Sequence, residues 1–224
     1  MSRLLSIGIL VSVAVRAQNV DDAAELFQKV RIFAETTKNW RAEVVETSHV
    51  SGRGVNLQDE VRTKLAVQIP LKMSRQNSGG DRTVFVCDGV ETFYSGDGSS
   101  YCKGSAAATP QCDLPLSKFY ELDKDPASIA AVGQDHVRLS GADRPCVVVR
   151  GRWRQGQVNT VRTMCIDVAR PLILRDVLER EDEKTGMRLI RTITISNFEA
   201  NPIFSPDAFR FSIPQGAVEA KRPH

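Results

Sequence analysis

The chain has 224 residues, of which 42% are hydrophobic and 25% charged, with a formal net charge of +3. The hydrophobic share argues against a disordered chain. The mixed, near-neutral charge argues against nucleic-acid binding, which shows clustered basic residues.

Residues 1–17 read as a secretory signal. Arg3 supplies a positive start and Leu4 to Val15 is apolar and uncharged. Val15-Arg16-Ala17 sets small residues where cleavage after Ala17 requires them. That apolar run is shorter than the roughly 20 residues needed to cross a bilayer. Residues 18–224 remain as a single domain, long enough to bury roughly 70% of its unfolded surface. None of the five cysteines lies near residue 17, so acylation there is not expected and the exported product should be soluble.

Residues 21–37 form the clearest amphipathic helix. Asp21 or Asp22 is placed to cap it, and Ala23, Leu26, Phe27, Val30, Phe33 and Thr37 follow one face. Trp40 opens a strand with Ala42 and Val44 on its side. Residues 60–69 alternate so that Val61, Thr63, Leu65, Val67 and Ile69 share an apolar face, before Pro70 interrupts. Thr83 to Cys87 and Glu91 to Tyr94 read as a hairpin around Asp88-Gly89. Residues 95–115 read as a long loop with a short strand near Tyr101. Residues 116–132 read as a weakly helical cover broken at Pro126. Strands follow at 145–154, 157–166, 171–180 and 187–198, with a last return at Phe209-Arg210-Phe211. About nine or ten strands with hairpin-length connections predict antiparallel pairing.

With Gln155-Gly156 at the centre of the 145–166 hairpin, Cys146 faces Cys165. Opposed positions lie within disulfide range, so a Cys146–Cys165 bridge is expected. Cys102 and Cys112 flank a small loop and are the second expected pair, which leaves Cys87 as a buried small hydrophobe.

Chemistry-bearing motifs are sparse. The three histidines are His49, His136 and the terminal His224, none at metal-ligand spacing, and no cysteine pair is C-x-x-C. There is no nucleophile elbow, P-loop or dinucleotide fingerprint. No catalytic residue, metal or cofactor is assigned. Arg150, Arg152 and Arg154 alternate on one strand; a nucleic-acid or anionic-lipid patch is one reading, but without interleaved aromatics the favoured one is a solvated outer face, or for Arg150 and Arg152 the side shared with Cys146. Trp40 and Trp153 are each read as core, with a ligand cavity as the other possibility.

Several stretches then match a known family in order. They are the signal and helix, Trp40 entering the first strand, and Ile69-Pro70 ending a strand. Val86-Cys87-Asp88-Gly89 follows, leading to Phe93-Tyr94, and Phe209-Arg210-Phe211-Ser212-Ile213-Pro214-Gln215-Gly216 lies near the end. On these the chain resembles the periplasmic lipoprotein-carrier superfamily of LolA, LolB and RseB. The resemblance implies a mainly β, α+β fold: a strongly curved, incompletely closed antiparallel half-barrel with helices over its concave face. It implies a periplasmic monomer that takes acyl chains of lipids or lipoproteins into an apolar cavity and moves them toward the outer membrane. Its membrane contact would be only transient, with an inner-membrane exporter and an outer-membrane acceptor as partners. The other branch of the superfamily implies an envelope sensing module binding a protein or lipid signal without transport. Candidate lining residues are Trp40, Val44, Leu65, Val67, Ile69, Val84, Val86, Phe93 and Ile193. Carriers of this type hold a basic residue before the strand-ending proline, where this chain has Ile69.

Overall fold

The computed structural model describes residues 20–78, 82–122 and 126–220; the signal at 1–17 lies outside them. Helix α1 (Val20–Thr36) is followed by β1 (Asn39–Gly52), β2 (Val55–Gln68), β3 (Lys72–Ser78), β4 (Val84–Asp88), β5 (Glu91–Ser95) and β6 (Ser100–Ser105). A short 3₁₀ turn at Pro110–Cys112 and α2 (Leu116–Phe119) come next. The chain continues through β7 (Ser128–Leu139), β8 (Ala142–Gln155), β9 (Val158–Asp167), β10 (Ile173–Asp182), β11 (Met187–Ala200) and β12 (Val218–Glu219). The strands make one sheet in the order β12-β6-β5-β4-β3-β2-β1-β11-β10-β9-β8-β7. Two meanders, β1–β6 and β7–β11, are thus joined where β1 pairs with β11. Every neighbouring pair is antiparallel except β12 beside β6. The outermost strands, β12 and β7, do not pair with each other, so the sheet is an open half-barrel.

The alternation seen in the sequence places the core. Trp40, Val67, Met73, Cys87 and Thr92 form one row across β1 to β5, and all five are buried. Helix α1 lays Ala23, Phe27, Val30 and Ala34 on this face, and α2 with its following loop adds Leu116, Tyr120 and Leu122. Helix α1 is described from Val20, so Asp21 and Asp22 lie within it.

Four readings need correction. Residues 128–132, the end of the expected helical cover, belong to strand β7, because Ser128–Leu139 pairs with β8 along its length; among the described residues of that cover, Leu116–Phe119 is helical. The return at residues 209–211 is not a strand, and the final pairing is made by Val218–Glu219. The β8–β9 turn is centred on Gly156-Gln157, with Gly156 at φ 61°, a left-handed position that glycine takes without strain. Cys146 therefore faces Asp167, while Cys165 faces Val148. Moving the turn centre by one residue shifts the pairing by two, so each side chain keeps its face. The two cysteines become diagonal neighbours on one face, 5.4 Å apart at Cα, and are joined as a disulfide.

The fourth correction concerns the other cysteines. Cys112 bonds to Cys87, and Cys102 is free and half-buried. Cys102 sits on β6, next to the outermost strand, opposite Tyr94. The turn at Pro110–Cys112 carries Cys112 back over the buried face, where Cys87 lies. Cys87 is thus a buried half-cystine.

Candidate functional site

The helix-covered face has a sealed end and an open end. At the sealed end Trp40 packs between Phe119, 5.3 Å away between ring centroids, and Phe198 at 6.3 Å. Val44, Leu65, Val67 and Ile193 are buried around it and Ile69 is half-buried. These six of the nine candidate lining residues occupy the face expected of them, but they are packed against α1, α2 and Phe198.

The other three, Val84, Val86 and Phe93, lie on the opposite face. Ala66, Ser74, Val86, Phe93 and Lys103 form the row behind the core row. The C-terminal segment covers this side: Phe211 stacks on Phe93 at 5.1 Å with the rings 8° from parallel. A cavity of about 590 Å³ lies between that segment and Gln68, Lys72, Asp88 and Phe93. The β4 sequence Val84-Phe85-Val86-Cys87 is a continuous apolar run, which is the mark of a strand buried on both faces.

Toward the hairpin tips the helical cover stops while the alternation continues. Val50, Val55, Leu57 and Val61 on β1 and β2, and Met187 and Leu189 on β11, share the face of Trp40 and Val44 by register. Leu57 is 64% exposed and Val55 39%. Beside them opens a cavity of about 1130 Å³, bounded by Trp153, Val158, Thr160, Arg162, Leu178 and Arg180 on β8–β10. Glu121, Pro126 and Ala127 border it from the segment after α2. The Trp153 indole lies back along its own strand over Gly151, where any Cβ would collide with the ring, and its edge meets Phe27 at 6.5 Å.

A buried polar clasp closes the inner end of this cavity. Arg162 and Asp176 are 3% and 2% exposed. The guanidinium donates from Nε to Asp176 Oδ1 at 2.7 Å and from Nη2 to Oδ2 at 2.5 Å. It also donates to the carbonyls of Tyr120 at 2.5 Å and Glu121 at 3.4 Å. The Tyr120 hydroxyl donates to the Ile173 carbonyl at 2.7 Å. Burial, with the Asp176 charge adding to it, holds this phenol well above its ordinary value. Glu121 is bridged by Arg191 at 2.8 Å and Arg180 at 2.9 Å. Burial pushes the Glu121 carboxyl up, but the hydrogen bonds and charges of Arg191 and Arg180 together outweigh it and leave it below its ordinary value. The segment after α2 is therefore tied to the sheet through guanidinium groups.

None of Glu121, Arg162, Leu178 or Arg180 was singled out by the sequence, and Trp153 was read as core. A signal existed. Arg162 precedes Met164 and Ile166 on the inward phase of β9, and Asp176 sits between Leu174 and Leu178 on β10. Opposite charges on apolar phases of neighbouring strands mark a buried pair. Arg150 and Arg154 of the arginine row reach Thr163 and Glu183, and Arg154 also borders the large cavity.

No family model and no curated protein matches the sequence. Solved structures do match. LprF from Mycobacterium bovis aligns over 90% of this chain and 100% of its own, at 14% identity and a TM-score of 0.56. MucB of Pseudomonas aeruginosa, solved with MucA, aligns over 85% of this chain and 61% of its own, at 15% identity and TM-score 0.46. The LolA superfamily protein NE2245 from Nitrosomonas europaea aligns over 84% and 97%, at 10% identity and TM-score 0.38. At 14% identity the likeness to LprF is one of fold: a curved antiparallel half-barrel, open at its edges and covered by helices on one face.

Proposed function

We propose that the protein binds acyl chains of lipids or lipoproteins in the cavity on its helix-covered face and carries them across the cell envelope. The observation that carries this reading is the cavity of about 1130 Å³ floored by Trp153, Val158 and Leu178, on the same sheet face as the exposed Val55 and Leu57 near the hairpin tips. Each buried CH₂ contributes about 0.8 kcal/mol, so an apolar floor of this length holds a chain that water would reject. The volume exceeds the roughly 300–1,000 Å³ of an ordinary small-molecule pocket. Export is supported by the two disulfides, Cys87–Cys112 and Cys146–Cys165, which persist in an oxidising compartment. The signal at residues 1–17 and transient contact with membrane-bound partners belong to the same proposal, as does a binding rather than catalytic role. The sealed-end residues Trp40, Val44, Leu65, Val67, Ile69 and Ile193 then form the wall that stops the chain.

Native mass spectrometry of residues 18–224, purified from the periplasm without detergent, tests the reading. A bound mass of lipid or lipoprotein size, lost on organic extraction, is the expected result. A bare chain mass that also fails to take up added lipid would overturn carriage and favour the sensing module.

A further inference from the structure

The large cavity is apolar on its floor and cationic on its rim. On β10, Leu178 faces Arg162 of β9 on one side and Arg191 of β11 on the other, and Arg180 lies two residues further toward the mouth. Arg162 is committed to Asp176 and to two backbone carbonyls. Arg180 and Arg191 share a single carboxylate, Glu121. Among the described residues, Arg191 Nε is buried without a hydrogen-bond partner. Arg154 borders the same cavity from β8 and pairs with Glu183 at 3.2 Å, both largely exposed. Glu46 shares this face, but on β1, beyond Arg191. With Asp59 on β2 it disfavours an anion on that side. Asp182, two residues beyond Arg180 on the same phase, accepts from the backbone N–H groups of Lys184 and Thr185, and the two guanidinium groups that share Glu121 keep the excess positive charge near Arg180.

We infer that the cavity selects amphiphiles with an anionic headgroup, the acyl chain lying on Trp153, Val158 and Leu178 and the head bound by Arg180 with Arg154 and Arg191. This rests on the acyl-binding reading above. A guanidinium binds a phosphate or carboxylate through paired, charge-assisted hydrogen bonds. An anionic head at Arg180 supplies the second anion that two arginines sharing Glu121 do not have. Because Glu121 belongs to the segment that borders the cavity, a head that takes Arg180 from it also loosens that border as the chain enters.

The test compares two ligands with one oleoyl chain each, lysophosphatidylglycerol and monooleoylglycerol, titrated into the delipidated protein by calorimetry. The anionic ligand is expected to bind about tenfold more tightly. Arg180→Gln should remove most of that difference, and an unchanged circular dichroism spectrum and a nearly unchanged urea midpoint would show that the variant is folded. Arg154→Gln should have the smaller effect. Equal affinity of the wild type for both ligands would overturn the headgroup inference while leaving acyl binding in place. Failure of both to bind would overturn both readings. Displacement of the lipid by inorganic phosphate alone at matched concentration would show a free-anion site and would also overturn the inference.

Discussion

The sealed and open ends of the helix-covered face are made by the same strands with the same alternation, yet they differ in fate. On β2, Leu65 and Val67 are buried, whereas Leu57 and Val55, on the same phase, are exposed. The difference lies in the cover: α1, α2 and Phe198 lie over Trp40 and its neighbours. Alternation specifies which face is apolar, and only the cover decides whether that face becomes core or binding surface. Contiguous exposed aliphatic residues leading into a cavity are a common mark of an interaction site.

The sharpest way to break this contrast is to cut the clasp between its two ends. Arg162→Met leaves Asp176 buried without its counter-charge and frees two carbonyls. It should cost about 3–5 kcal/mol in urea unfolding. The double change Arg162→Met with Asp176→Leu should recover most of that loss. A double variant no more stable than the single one would show that the clasp is not an isolated charge pair.

The two tryptophans offer a matched pair of tests. Trp40→Ala should cost about 3–5 kcal/mol, since the ring is fully enclosed. Trp153→Ala, half-buried at the cavity wall, should cost under about 1.5 kcal/mol but weaken acyl binding severalfold. Equal stability losses, with binding unchanged in the Trp153 variant, would erase the distinction between the ends.

The cysteines sharpen the picture of the sealed end. Cys112→Ser removes a bridge that ties the segment before α2 to β4 and should cost about 2–4 kcal/mol. Cys102→Ser should stay within about 0.5 kcal/mol. Thiol titration of the unfolded, unreduced protein should find a single reactive group.

Acid gives the smallest effect. The Glu121 carboxyl is held below its ordinary value, so its contacts contribute stability that is present above the usual carboxylate range. That contribution is lost as pH falls through the lowered value. Protection factors of the Tyr120 to Leu122 amides, taken against the intrinsic rate at each pH, should fall from about pH 6 to about pH 3, while those around Trp40 change little. A uniform loss of protection across both regions would show global rather than local release.

Much of the fold was legible from particular residues. The helix face from Ala23 to Phe33 and the alternation from Val61 to Val67 are local patterns with one good solution each. The site was less legible. Val84, Val86 and Phe93 were assigned to the cavity face because they are apolar, but the C-terminal segment buries the other side of β4 and β5. Residues 128–132 were read as the end of a weakly helical cover, and their pairing with β8 overrides that reading. Arg162 and Asp176 were passed over because charged residues are normally at the surface.

By itself the sequence determined where α1 forms, that β4–β5 and β8–β9 are hairpins, which face of β2 is apolar, and that Cys146 and Cys165 come together. These depend on neighbours a few residues apart, or on a hairpin whose faces survive a shift of its turn. Tertiary structure alone decided that β1 lies beside β11, that Cys112 returns to Cys87, and that Arg162 reaches the carbonyls of Tyr120 and Glu121. Those contacts join segments far apart in the chain. Their partners are selected by what the folded sheet leaves uncovered, a quantity that no local pattern encodes.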